Sequence, residues 1–186
     1  MTPETRSSSV VLNRKRSSTS GSVVPLSPSF SMDEVDDPQE FENLKQRKTA
    51  LQDGIRQFNF KPKRGIEFLV RQGFIKDKEP LTIAKFLLEQ HGLDKAVIGE
   101  YLGEGDEENI AIMHAFVDEM EFSNTSFVDA MRTFLQAFRL PGEAQKIDRF
   151  MLKFAERYVD GNPNIFANAD TAYILAYSVV LLNTDQ

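Results

Sequence analysis

The sequence has no cysteine, no tryptophan and only two histidines, His91 and His114. Without a thiol there is no disulfide framework and no Cys/His catalytic pair, and two imidazoles are too few to build a zinc site of the usual kind. Long apolar runs are missing too. The longest mostly apolar stretch, Ala172 to Leu182, is far short of the roughly 18 to 20 residues that cross a bilayer. The start, Met1-Thr2-Pro3-Glu4, carries no apolar secretory core, so a cytoplasmic protein is expected. Positive charge is in the minority: 22 Lys plus Arg face 28 Asp plus Glu, for a formal charge of −6. That balance argues against general nucleic-acid binding. No Ser-His-Asp arrangement and no phosphate-cradling glycine loop can be read, and no cofactor is expected.

What is present divides into a tail and a helical body. Residues 1–32 hold ten Ser, three Thr, three Pro and the basic run Arg14-Lys15-Arg16, with Glu4 the single acid. Few large apolar side chains are available there to offset the entropy of ordering, so residues 1–38 are expected to be a disordered basic tail followed by an acidic hinge. From Pro38 the apolar period is helical. The spacing predicts helices over 39–56, 65–72, 80–90, 94–102, 106–120, 126–138, 142–159 and from 170 onward, with Gly73 at a left-handed C-cap, Pro80 at a first helical position and Ser126 with Asp129 as a capping box. His114 is expected to pack on a helix face and His91 to lie at a helix end. Alternating strand patterns are missing, and no 33- to 47-residue repeat recurs, so an irregular all-α domain over 39–186 is expected. The chain stops inside an apolar helix without a cap, from which an incomplete C-terminus is expected.

One segment carries the candidate chemistry. After the helix ending near Phe138, Pro141 cannot continue the helical hydrogen bonding, and Gly142 can take the positive φ of a tight corner. Glu143 then falls in the first turn of the next helix, where the dipole favours a carboxylate. On spacing alone, Glu143 could equally be an ordinary helix-start acid. Asp160-Gly161-Asn162-Pro163-Asn164 begins like a calcium loop, but Ile165 and Thr171 stand where Gly and a bidentate Glu are needed, so a turn is expected.

Phe138-Arg139-Leu140-Pro141-Gly142-Glu143-Ala144-Gln145-Lys146-Ile147-Asp148-Arg149 resembles the signature of the Sec-seven (Sec7) domain of exchange factors for Arf small GTPases. Ala172 to Asp185, an apolar helix ending in Leu182-Asn183-Thr184-Asp185, resembles the family's second signature, in the family's order and separation. Phe58 to Ile66, followed by Ile83-Ala84-Lys85-Phe86-Leu87, resembles its early helices. In detail the similarity is greatest to the large trans-Golgi members of fungi.

The resemblance implies an elongated, irregular all-helical domain whose groove, formed by the last three helices, receives the switch regions of an Arf-family GTPase. It implies that Glu143 is the catalytic glutamic finger, which catalyses nucleotide release with no covalent chemistry. GTPase contacts are implied for Arg139, Asp148, Tyr177, Leu181 and Asn183, although Asp148 could be a plain exposed helix acid and Leu181 a core residue. Tyr177, Ser178 and Asp185 resemble members trapped by brefeldin A. Peripheral association with Golgi membranes is implied on the same ground. The alternative from another class is a non-catalytic helical module that binds a GTPase or serves as a scaffold.

Overall fold

The computed structural model describes residues 38–184, with side chains to Leu182. The expected disordered tail lies outside the described residues, as do Asp185 and the side chain of Asn183. Eight helices follow in order: α1 (Pro38–Phe60), α2 (Pro62–Arg71), α3 (Pro80–Glu89), α4 (Lys95–Gly103), α5 (Glu107–Asp118), α6 (Phe127–Ala137), α7 (Ala144–Gly161) and α8 (Ala169–Thr184). Among the described residues there is no strand.

Local chemistry accounts for most boundaries. Pro80 stands at the start of α3, where its missing N–H costs nothing. The Asp94 carboxylate accepts from Ala96 N–H at 2.8 Å and starts α4. At α6 the Ser126 hydroxyl accepts from Asp129 N–H at 3.2 Å and donates to the Asp129 carboxylate at 2.7 Å. Asp129 thus closes on the serine hydroxyl rather than on the N-cap amide of a full capping box, and this bond holds its carboxyl below the usual carboxylate range. Gly73, at φ +72, ends α2 with its N–H on Val70 O and Phe74 N–H on Leu69 O, the two bonds of a Schellman motif.

Two expectations shift. α2 begins at Pro62, not Gly65, because Pro62 is itself a first-position proline. α1 runs four residues past 56, and its N-terminal part is exposed: Phe41 and Leu44 are solvent-facing, while Gly54 and Phe58 are buried. His114 is exposed on α5 beside buried Met113 and Val117, so its place in the apolar stripe does not hold.

The core gathers around α5, α6 and α7. Phe116, Phe122, Phe134, Phe138, Phe150, Phe154 and Tyr158 are all essentially solvent-free. Their rings meet edge to face, as in Phe116–Phe138 at 5.9 Å, or stacked, as in Phe138–Phe150 at 4.6 Å, the geometries that the ring quadrupole favours. α7 packs on α8, α3 on α5 and α1 on α2. On α8 the inward stripe is Ala172, Ala176 and Val180, one residue per turn, which allows a close approach to α7.

The segment after α6 is seated on α4. Arg139 N–H donates to Lys95 O at 2.9 Å, and Lys95 Nζ donates to Gln136 O. Here α4 offers Gly99, where an added Cβ would lie 1.8 Å from the Arg139 carbonyl oxygen. That neighbour is backbone and cannot rotate away. Gly99→Ala is therefore expected to cost about 3 kcal/mol of stability through overpacking, read from urea unfolding; a loss below about 0.5 kcal/mol would show that the seat is loose.

Candidate functional site

Phe138 ends α6 in an extended conformation, φ −150 and ψ 170, with its ring buried among Phe116, Phe134 and Phe150. Pro141 is buried behind it, and Gly142 and Glu143 stand in solvent. The corner is made without a left-handed residue. Gly142 is absent from the positive-φ positions, because the extended Phe138 and the fixed φ of Pro141 already turn the chain. Glu143 is the N-cap of α7, one residue outside the helix and not within its first turn, at φ −86 and ψ 126. Its carbonyl accepts from Lys146 and Ile147 N–H, each at 3.0 Å.

The Glu143 carboxylate makes no capping bond. It meets Lys146 Nζ at 3.1 Å, while that ammonium lies 2.6 Å from Glu100 and 3.8 Å from Glu104. Lys146 is buried along its stem, against Gly103. Its hydrogen bond with Glu100 raises its pKa above the ordinary lysine value against the opposing effect of burial. Two further side chains of this region close the C-terminal end of α4: Arg149 Nη2 donates to Gly103 O, and Asn109 Nδ2 donates to Tyr101 O at 2.6 Å. Helix ends leave carbonyls unpaired, and these donors supply two of the partners.

Arg139 is exposed and braces the corner through its backbone. Asp148, on α7, is not a free acid: it accepts a hydrogen bond from Tyr173 Oη of α8 at 2.5 Å, which pushes the phenol up to about 12. Tyr177 lies next along α8, half-buried, its ring 5.8 Å from that of Tyr173. Ser178 is exposed and donates to Ile174 O at 2.7 Å. Leu181 is 44% exposed, so it is not a core residue, and Ile174, Leu175 and Leu182 are exposed with it. The structure thus places Asp148 with Tyr173 and Tyr177, and Glu143 with Lys146. Sequence reasoning missed Tyr173, Lys146 and the α4 residues. Of these only Lys146 carries a local signal, its spacing of three from Glu143.

Eight helices, a proline corner seated on one of them and a last apolar helix presenting exposed side chains define an all-α domain with an acid at its corner. The chain belongs to the Sec7 domain family, whose model matches residues 47–186. It is 65% identical over 152 residues to the ADP-ribosylation factor guanine nucleotide-exchange factor SEC7 of Saccharomyces cerevisiae, covering 82% of this chain and 8% of that protein. It is 48% identical over 185 residues to the human brefeldin A-inhibited guanine nucleotide-exchange protein 1, covering 98% of this chain and 10% of that one. The chain therefore spans about a tenth or less of the curated relatives it matches. Among solved structures, the Sec7p catalytic domain is similar at TM-score 0.71 and 64% identity, over 73% of this chain and 75% of that one. A Sec7 domain bound to ARF1-GDP and brefeldin A is similar at TM-score 0.73 and 34% identity, over 78% and 73%.

The α7–α8 bond gives a pH-dependent expectation. Tyr173 ionises near 10 in the unfolded chain and near 12 when folded, so its contribution is whole below pH 10 and lost as pH rises toward 12. Tyr173→Phe should lower stability by about 0.5 to 1 kcal/mol at neutral pH, the ordinary worth of such a bond. The gap to the parent should close above pH 10. A gap that stays constant to pH 12 would show that the hydrogen bond to Asp148 is not what the phenol contributes.

Proposed function

We propose that this chain is an exchange domain that promotes GDP release and GTP loading on an Arf-family small GTPase, with Glu143 as its finger. The observation that carries the reading is an exposed acid at the apex of a corner whose backbone is fixed on α4, in a chain of the Sec7 domain family. Complementing it, the relatives named above are exchange factors by name, and one neighbour is held with ARF1-GDP.

The physical account is electrostatic. A carboxylate inserted beside the β-phosphate of the bound nucleotide repels it and competes for the positive charge that Mg²⁺ and a lysine of the GTPase otherwise supply. Two unit charges about 4 Å apart at an effective dielectric near 20 interact by roughly 4 kcal/mol, which corresponds to about three decades in nucleotide dissociation. Exchange also follows from linkage: a domain that binds nucleotide-free GTPase more tightly lowers nucleotide affinity by the same factor. No bond is made or broken.

In this reading the exposed apolar edge of α8, with Leu181 and Tyr177, receives the GTPase switch segments, Asp148 and Arg139 flank them, and Asn183 is a further contact implied by its position in the sequence. Peripheral recruitment to Golgi membranes belongs to the same reading. No described helix is long and apolar enough to cross a membrane.

Glu143→Lys is expected to reduce release of a fluorescent GDP analogue from a soluble Arf to the uncatalysed rate while leaving GTPase binding in place. Stability should fall by no more than about 1 kcal/mol, because the reversal loses the pair with Lys146 but the side chain is largely exposed. Equal acceleration by mutant and parent would remove the finger mechanism, and no acceleration by the folded parent would leave a non-catalytic GTPase-binding module. Tyr177, Ser178 and Asp185 together predict that brefeldin A slows exchange on the GDP-bound GTPase; an unchanged rate at saturating drug would refute that assignment.

A further inference from the structure

We infer that Lys146 is the positioning residue of the Glu143 finger, an inference that rests on the exchange reading above. An exposed glutamate on its own samples its full set of rotamers, and ordering it costs conformational entropy when a partner arrives. Here the carboxylate already has a resting place 3.1 Å from Lys146 Nζ. What makes that place well defined is the immobility of the lysine. Its side chain is only 11% exposed, its stem packs against Gly103, and Glu100 holds the ammonium at 2.6 Å. Glu143, by contrast, is 68% exposed, so the mobile partner rests on the fixed one.

The two carboxylates of α4 give the pair a second property. A buried cation that loses its only counter-ion is strongly destabilised. Lys146 never faces that state, because Glu100 and Glu104 remain beside it when Glu143 swings away. Release of the finger is therefore cheap, and the positive charge of Lys146 stays behind with Glu100 and Glu104. The carboxylate reaches the nucleotide with its full negative charge. Lys146 thus orders the finger before docking without neutralising it at the moment of use.

The test uses the full chain and the same fluorescent GDP release assay, at varied GTPase concentration. Lys146→Met is expected to lower kcat about fivefold, the most that losing one partly exposed ion pair accounts for, with KM changed less than twofold. Lys146→Arg, which keeps charge and length, should recover most of the rate. In a Glu143→Gln background, Lys146→Met should change the residual rate by less than twofold, because a residue that acts through the finger has nothing left to act on. An unchanged or raised kcat in a folded Lys146→Met protein overturns the inference, and so does an equal fall in both backgrounds. If Lys146→Met does not fold, Lys146→Gln, which retains a hydrogen bond to Glu100, is read by the same criteria. Full activity of Glu143→Gln alone would instead refute the finger reading, whatever Lys146 does.

Discussion

Everything that gives the corner its shape depends on how closely the segment 138–146 approaches α4. Gly99 admits the Arg139 carbonyl to a distance that no side-chain carbon would allow, and one turn later Gly103 admits the Lys146 stem. Small residues spaced by four line one face of the helix, so the two glycines act as a single slot. A backbone bond from Arg139 N–H to the Lys95 carbonyl and a side-chain bond from Lys95 Nζ to the Gln136 carbonyl fix the segment's height in that slot. Behind it, the Phe138 ring inserts into the aromatic core between Phe116, Phe134 and Phe150. The position of Glu143 follows from those three constraints. A helix N-cap elsewhere on the surface would carry the same carboxylate with none of them.

Helix identities were legible because the apolar period, the prolines and the caps agree with each other. The eight predicted segments correspond to the eight observed helices, with ends displaced where a signal was misread: Pro62 was passed over, and the end of α1 carries no cap that a reader could see. The candidate corner was legible through Pro141 and through the family signature. What could not be read was long-range pairing. Lys146 and Glu100 are 46 residues apart, as are Arg149 and Gly103, and nothing in either segment announces the other. Asp148 illustrates the same limit. Its sequence neighbours suggest a solvated helix acid, whereas its partner, Tyr173, arrives from α8. Similarly, the sequence leaves Leu181 open between a groove contact and a core residue, and the fold leaves it nearly half exposed.

α8 shows why period alone gives little guidance at such a place. Apolar residues occupy it on all sides, so no face is marked as inner. Size decides instead. The alanines and Val180 go inward where α7 comes close, and the larger Ile174, Leu175, Leu181 and Leu182 are left outside. Scattered exposed apolar residues need no explanation, but four on one short helix present a surface that gains from being covered. On the exchange reading, that cover is the GTPase.

Rigidity and freedom are therefore divided within a few residues of one another. The backbone of the corner is bonded, packed and sterically confined, which fixes where a side chain begins. The Glu143 carboxylate is tied only by charge, to an ammonium that has other partners. Such an ion pair, with one member largely in solvent, is worth at most about 1 kcal/mol and is screened by salt, so it can orient without locking. On the exchange reading, a deeper or exclusive pair would hold Glu143 in place at the expense of its reach. Three acids around one lysine therefore hold the Glu143 carboxylate at the corner while letting it be given up at low cost.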